Sequence, residues 1–180
     1  MTVHISNPNS TFLHVPKCAG SSIRKWLINN VPGSVSLKHP HNVYKDLDKN
    51  KDLGMVFCVV RNPYDRVVSG FNYKKQKNPQ SFNKEFKLFS DYVHKGNDKT
   101  FIPQWQYAEK ADIVLRYESL LEDFKQIQEY YKCYIDLPHT NKSDHDHWKT
   151  YYDELLLKQV QKKFQKDFEL FNYSTDINDY

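Results

Sequence analysis

The amino-acid sequence predicts an α/β fold in which a central parallel sheet is flanked by helices, so that a single domain over residues 1–180 has three layers. The first observation is that strand-like and helix-like segments alternate along the chain, which is typical of a parallel sheet covered on both faces. The second is a continuous apolar run at 55–60, typical of a strand buried on both sides. The third is size, because 180 residues with 39% hydrophobic content suit one sizeable core rather than two domains.

The first elements form a strand, a loop and a helix. Residues 11–15 (TFLHV) predict a strand, residues 16–20 a turn, and residues 21–29 a helix whose start is marked by small hydroxyl residues. A short apolar segment at 35–37 predicts the second strand, and a short helix is expected near 43–47.

The third strand, 55–60, leads into a helix whose start has a clear signal. Asn62 can cap this helix and Pro63 suits its first turn, so a helix is predicted over 64–75. The remaining elements are predicted from their apolar pattern: helices near 82–94, 118–131 and 151–168, a polar loop at 95–100, and a fourth strand at 113–116. Ligands of such sheets bind at the carboxyl ends of the strands.

Composition narrows the classes of protein. The longest purely apolar run is far shorter than the roughly 20 residues of a membrane-spanning helix, and residues 1–9 lack the pattern of a signal peptide. Three cysteines do not suit a secreted disulfide scaffold, so a cytoplasmic location is expected. The net charge of +4 favours anionic ligands. Nucleic acid is not expected as a partner, because the lysines are scattered and no nucleic-acid-binding motif is present.

The first chemical motif follows the first predicted strand, at 16–22 (PKCAGSS). A buried strand that enters a short loop and then a helix predicts an anion site, because free N–H groups and the helix dipole point into the loop. Gly20 allows close approach of the backbone, Ser21 and Ser22 add hydroxyl donors, and Lys17 adds a positive charge. The arrangement is P-loop-like, but the lysine precedes the glycine by three residues instead of following it.

The second motif lies at the end of the third strand. A nucleoside triphosphatase needs a magnesium-binding aspartate in this region, whereas the strand here runs into Arg61. Ser69 follows about two turns into the next helix. A guanidinium and a hydroxyl can together bind a phosphate monoester, which predicts a second anion-binding position.

Together the two motifs resemble the sulfotransferases that use 3′-phosphoadenosine 5′-phosphosulfate (PAPS), especially the carbohydrate-type branch with its His-x-Pro-Lys-x-x-Gly-Thr/Ser-Ser/Thr loop, here residues 14–22. The segments 113–120 (IVLRYESL) and 137–143 (LPHTNKS) are similar to later landmarks of the family. The resemblance therefore spans about residues 12–173.

The resemblance implies PAPS as the sulfuryl donor, with the first loop on its 5′-phosphosulfate and the second motif on its 3′-phosphate. The cofactor-binding residues implied in this way are Lys17, Cys18, Ala19, Gly20, Ser21, Ser22, Arg61 and Ser69. Lys142 and Ser143 are expected to close over the phosphate end of PAPS, although a polar turn after Pro138 explains them nearly as well.

The family's reaction is metal-free in-line transfer, and each catalytic role has a physical requirement. Negative charge builds on the bridging oxygen as the sulfuryl group leaves, and Lys17 is assigned to stabilise it. The acceptor, expected to be a hydroxyl of a glycan or small molecule, must lose a proton. His39 is assigned as general base, with His41 as the alternative, and an acidic residue stays open. His14 lies within the apolar strand and is interpreted as structural.

Two other functions stay open at this point. One is a nucleotide-binding module that transfers nothing, and the other is a P-loop phosphotransferase, which would require magnesium and a carboxylate near the loop. No metal is expected, because the histidines and aspartates within 139–147 match no common ligand spacing. The chain is short for the carbohydrate branch and shows no anchor, which fits a bacterial or viral source and makes stable membrane insertion unexpected.

Overall fold

The computed structural model describes residues 2–37, 52–138 and 146–180. These residues form two compact units. The described part of the first unit is 2–37, 52–61 and 104–138, and that of the second is 62–103 and 146–180.

None of the helices in these ranges is both long enough and apolar enough to cross a membrane.

A five-stranded sheet forms the centre of the first unit, in the order β3-β1-β2-β4-β5. The strands are β1 (Val3–Ser6), β2 (Asn9–Leu13), β3 (Ser34–Ser36), β4 (Met55–Val60) and β5 (Ile113–Arg116). β2, β4 and β5 are parallel, as predicted, whereas β1 pairs antiparallel with both β2 and β3. The α/β class is confirmed, and the sheet is mixed instead of wholly parallel because the unpredicted strand β1 forms a hairpin with β2.

The strand that precedes the first motif lies earlier in the chain than predicted. β2 ends at Leu13, whereas the prediction ran to Val15. The N–H of Val15 turns back to donate to the carbonyl of Leu13 (3.1 Å), and Pro16 has no N–H with which to extend the ladder. The prediction of 113–116 is confirmed by β5, and that of 55–60 by β4.

The first unit also contains α1 (Gly20–Asn30), α5 (Trp105–Ala108), α6 (Leu120–Asp123) and α7 (Lys125–Tyr131). The ring of Trp26 on α1 packs edge-on against Phe124, at 4.9 Å between centroids, and its Nε1 donates to the carbonyl of Ile135 (2.6 Å). On the sheet, the rings of Phe12 and Phe57 lie 5.1 Å apart on the paired strands β2 and β4. In place of the single helix predicted at 118–131, the structure has two consecutive helices, α6 and α7, joined at Phe124.

The second unit is helical in its described residues. Its helices are α2 (Pro63–Lys77), α3 (Pro79–Glu85), α4 (Phe89–Lys95) and α8 (Glu154–Leu170), with 3₁₀ turns at Lys99–Phe101, Trp148–Tyr151 and Ile177–Asp179. The helical segments predicted around 82–94 are α3 and α4, although α3 begins earlier, at Pro79. The Asp91 carboxylate accepts from the N–H groups of Lys87 and Leu88 and so starts the second of these helices.

Aromatic rings fill the core of the second unit. The ring of Tyr64 lies 5.5 Å from Trp148, 5.3 Å from Tyr152 and 4.9 Å from Phe168, measured between centroids. The Tyr152 hydroxyl donates to the carbonyl of Tyr64 (2.9 Å), and burial raises its pKa well above the usual value. Tyr151 and Tyr152 are both half-buried.

Candidate functional site

The loop between β2 and α1 has an unusual backbone. Lys17 and Ala19 have φ angles of 69° and 54°, in the left-handed region that costs non-glycine residues roughly 1–2 kcal/mol each. Such strain persists only where the surrounding structure fixes it, and it concentrates at binding and catalytic sites. The backbone itself therefore marks this loop as a functional candidate.

Left-handed Ala19 is followed directly by the first residue of α1, Gly20. Alternation between left-handed and right-handed residues turns consecutive N–H groups toward one point, where an anion can bind. The first N–H groups of a helix have no carbonyl partner within the helix, and the positive end of the helix dipole lies at the same place. The Ala19 carbonyl meanwhile accepts from the N–H of Ser22 (3.0 Å) and closes the first turn.

Gly20 is required by its contact with His14. A Cβ atom at Gly20 would collide with the His14 imidazole, which lies directly over this glycine. The two rings of His14 and Phe12 are stacked 6.1 Å apart. His14, one residue beyond the end of β2, thus packs against Phe12 and the start of α1. Of the two serines, Ser21 is exposed and Ser22 is buried.

Arg61 follows β4 directly and reaches the loop. Its side chain is largely buried, with the residue 6% exposed, and its Nη1 donates to the carbonyl of Lys17 (3.1 Å). The guanidinium carbon lies 4.0 Å from the centroid of the Tyr117 ring, a cation–π contact that also fixes the guanidinium plane. Tyr117 is held in turn because its N–H donates to the carbonyl of Val60 (2.8 Å). The structure therefore brings Arg61 and the Lys17 loop into contact.

Gln104, which the sequence analysis does not single out, connects the same segments. The residue is fully buried, and its side-chain amide accepts from the Arg61 N–H (2.9 Å) and donates to the Arg61 carbonyl (2.8 Å). Its Oε1 also accepts from the Cys18 thiol (3.3 Å). A single glutamine 43 residues from Arg61 forms no motif, so only the fold reveals it.

Cysteine chemistry at the site is governed by burial. Cys18 and Cys58 are both buried thiols that form no disulfide. Burial, with a smaller contribution from Cys18, raises the pKa of the Cys58 thiol far above its usual value. Cys58 is therefore a protonated, inert core residue of β4.

Ser69 belongs to the second unit, on α2. It is 3% exposed. Its helix is capped by Asn62, whose side chain accepts from the N–H of Tyr64 (2.9 Å), and Gly70 lets the helix pack closely on Thr100. Arg66 on the same helix is also buried and donates to the carbonyl of Ile102 (3.0 Å), so this arginine supports the fold.

The other candidates from the sequence lie outside the described residues. They are His39, His41, Lys142 and Ser143. Among the residues that the structure describes, no group of three or more His, Cys, Asp or Glu side chains is placed to hold a metal ion.

A family model described as "Sulfotransferase family" matches residues 7–174, nearly the whole chain. The match includes both units and all the candidate residues above. No curated protein and no solved structure matches the sequence.

Proposed function

Because the chain belongs to the sulfotransferase family, we propose that it moves a sulfuryl group from PAPS to an acceptor hydroxyl, on a glycan or a smaller molecule, without a metal. The observation that carries this proposal is the hydrogen bond from the Arg61 guanidinium to the Lys17 carbonyl (3.1 Å). It joins two cationic residues at the carboxyl ends of the neighbouring parallel strands β2 and β4. PAPS is anionic at its 5′-phosphosulfate and at its 3′-phosphate, which suits two linked cationic positions.

The loop residues fit the 5′-phosphosulfate. The left-handed turn at Ala19, the N-terminus of α1 and the hydroxyl of exposed Ser21 offer a set of neutral donors, and Lys17 adds a charge. The P-loop-like character expected from the sequence is proposed on the same grounds. A Cβ at Gly20 would meet the His14 imidazole, so a side chain there would displace His14 or the start of α1.

Arg61 is proposed to bind the 3′-phosphate. A guanidinium fixed against the Tyr117 ring keeps donors for a phosphate oxygen in a defined plane. Ser69 is the second ligand proposed from the sequence motif, and Lys142 and Ser143 remain proposals for the phosphate end.

Each catalytic role requires a particular charge or proton. When bound, PAPS supplies an activated sulfuryl group, whose bond to the 5′-phosphate oxygen breaks as the acceptor oxygen bonds to sulfur. Lys17 is proposed to stabilise the charge that develops on that phosphate oxygen. His39, or alternatively His41, is proposed to take the proton from the acceptor hydroxyl.

The end of β4 favours this reaction over phosphoryl transfer. A P-loop phosphotransferase holds magnesium through a carboxylate near the phosphate loop. β4 instead delivers Arg61, whose guanidinium lies against the loop. A cation at this position binds an anionic ligand directly and would repel a metal ion.

The first test is calorimetric titration with adenosine 3′,5′-bisphosphate in EDTA, beside ATP with magnesium. We expect metal-free binding of the bisphosphate and a roughly 10- to 100-fold loss of affinity in Arg61→Ala, because a charge-assisted hydrogen bond is removed. Lys125→Ala is the matched control, since Lys125 is an exposed cation of the same unit paired with Glu122.

Each alternative function has its own outcome in this titration. A preference for ATP with magnesium would favour a phosphotransferase. Tight bisphosphate binding without turnover of PAPS, over a panel of glycan and small hydroxyl acceptors, would favour a module that does not catalyse transfer.

The two catalytic assignments are separated by comparing binding with transfer. Lys17→Ala is expected to abolish transfer and to weaken bisphosphate binding, because it removes a charge from the loop. His39→Ala is expected to abolish transfer and leave the dissociation constant unchanged, because a general base acts on the acceptor. Wild-type turnover in His39→Ala would reject that assignment, and His41→Ala would then be measured in the same assay.

A further inference from the structure

We propose that Gln104 is a positioning residue that locks Arg61 and the Lys17 loop together, so that the two anion-binding positions act as one. The inference rests on the proposed function and adds a residue to it. Gln104 lies at the start of α5, just before Trp105, and its side chain is fully buried beside the end of β4.

The amide of Gln104 satisfies both backbone groups of Arg61. The Arg61 N–H donates to Oε1 (2.9 Å) and the Arg61 carbonyl accepts from Nε2 (2.8 Å). This paired arrangement imitates a neighbouring strand at the residue where β4 has just ended. It fixes the backbone of Arg61 and thereby the direction in which its side chain leaves the sheet.

The same amide also holds the loop. Oε1 accepts from the Cys18 thiol (3.3 Å), while the Arg61 guanidinium donates to the carbonyl of Lys17 (3.1 Å). The contacts close a ring that passes from Arg61 through Gln104 to Cys18, and from Lys17 back to Arg61. The ring holds Cys18, which lies between the left-handed residues Lys17 and Ala19, where the strained backbone of the loop needs support.

A preformed ring of this kind matters for affinity. A ligand that must engage two positions binds more tightly when both are already in place, because less ordering is required at the moment of binding. Without Gln104, the buried groups of Arg61 lose their partners and the loop loses its connection to the strand. Loss of Gln104 should therefore weaken a ligand with two phosphates more than a ligand with one.

The test measures three nucleotides on the full chain by calorimetry: adenosine 3′,5′-bisphosphate, adenosine 5′-monophosphate and adenosine 3′-monophosphate. Gln104→Met keeps the side-chain size and removes the two hydrogen bonds to the Arg61 backbone and the one from the Cys18 thiol. Gln106→Met on the same helix, at a half-buried position, is the matched control. We expect Gln104→Met to weaken binding of the bisphosphate by at least roughly 10-fold and binding of the two monophosphates by less. Gln106→Met is expected to bind all three nucleotides as the wild type does.

A double-mutant cycle distinguishes positioning from a general loss of fold. If Gln104 acts through Arg61, then Gln104→Met has little further effect in an Arg61→Ala background. Equal losses in both backgrounds would overturn the inference, as would an unchanged bisphosphate affinity in Gln104→Met. Either result would leave the proposed function intact, whereas failure of the wild type to bind the bisphosphate would overturn both.

A second variant covers the case in which Gln104→Met does not fold. Cys18→Ala removes the thiol contacts to Gln104 Oε1 and to the Pro16 carbonyl, and leaves the two bonds between Gln104 and Arg61. In a double-mutant cycle of Cys18→Ala with Arg61→Ala, the ring predicts that the two losses of bisphosphate affinity are not additive. Additive losses there would reject the coupling.

Discussion

At the scale of single residues, the site depends on close contacts that tolerate little change. Gly20 is the clearest case, because the His14 imidazole occupies the space that a Cβ would need. We expect Gly20→Ala to lower the free energy of unfolding by about 1–3 kcal/mol, as overpacking does elsewhere, and to weaken bisphosphate binding.

Urea denaturation checks this prediction, with the double variant Gly20→Ala, His14→Ala as its control. Removing the imidazole makes room for the new methyl group, so part of the stability should return. If Gly20→Ala alone unfolds at the wild-type urea concentration, then His14 must move aside at little cost and the steric argument fails.

At the scale of elements, the start of α2 follows directly from the residue that binds the loop. Arg61 follows β4 directly, and the next residue, Asn62, caps α2 by accepting from the N–H of Tyr64 (2.9 Å). We expect Asn62→Ala to lower the free energy of unfolding by about 1–2 kcal/mol, the usual effect of a lost cap. Asn62→Asp keeps the acceptor oxygen and is expected to recover most of that loss. Equal stability of the alanine and aspartate variants would show that the cap is not the cause.

The elements also show what could be predicted from the sequence. β4 and β5 are predicted to the residue, because each is an apolar run bounded by polar residues. β1 was missed because Val3–Ser6 alternates apolar and polar residues instead of forming an apolar run, and its pattern of alternate burial needs β2 as a partner. The position of the break between α3 and α4 was not predicted, because it depends on the Asp91 side chain accepting from backbone N–H groups, which apolar periodicity does not register.

The residues of the candidate site likewise divide into those that the sequence indicates and those that only the fold reveals. Lys17 and Arg61 could be found because each follows a strand in a short motif whose charge has an evident chemical use. Gln104 could not, since its role arises from tertiary hydrogen bonds to residues far away in the sequence. The left-handed backbone at Lys17 is likewise invisible in the sequence, because lysine has no preference for that conformation.

At the scale of the whole molecule, buried tyrosines make stability sensitive to alkaline pH. Burial raises the pKa of Tyr131 to about 12, while its hydroxyl is bonded to Ser10 (2.7 Å). The unfolded chain loses this proton near the ordinary value of about 10, so the contribution to stability is full below pH 10 and declines as the pH approaches 12. Burial also raises the pKa of Tyr92 and of Tyr152.

We therefore expect the free energy of unfolding to fall steeply between pH 10 and 12, with up to about 3 kcal/mol from Tyr131. Urea melts over this range would show a shallower fall in Tyr131→Phe. Tyr130→Phe is the control, since this neighbouring hydroxyl donates only a longer bond to the carbonyl of Asn9 (3.4 Å). Parallel curves for the wild type and Tyr131→Phe would contradict the assignment.

The left-handed backbone at Lys17 sets stability against activity at a single position. Glycine adopts this conformation without steric strain, so selection for stability alone would favour losing the lysine. Selection for the proposed transfer would retain it, because glycine carries no charge. Under that proposal, a homologue with glycine at this position and the rest of the loop intact would be a chain that has kept its fold and lost transfer.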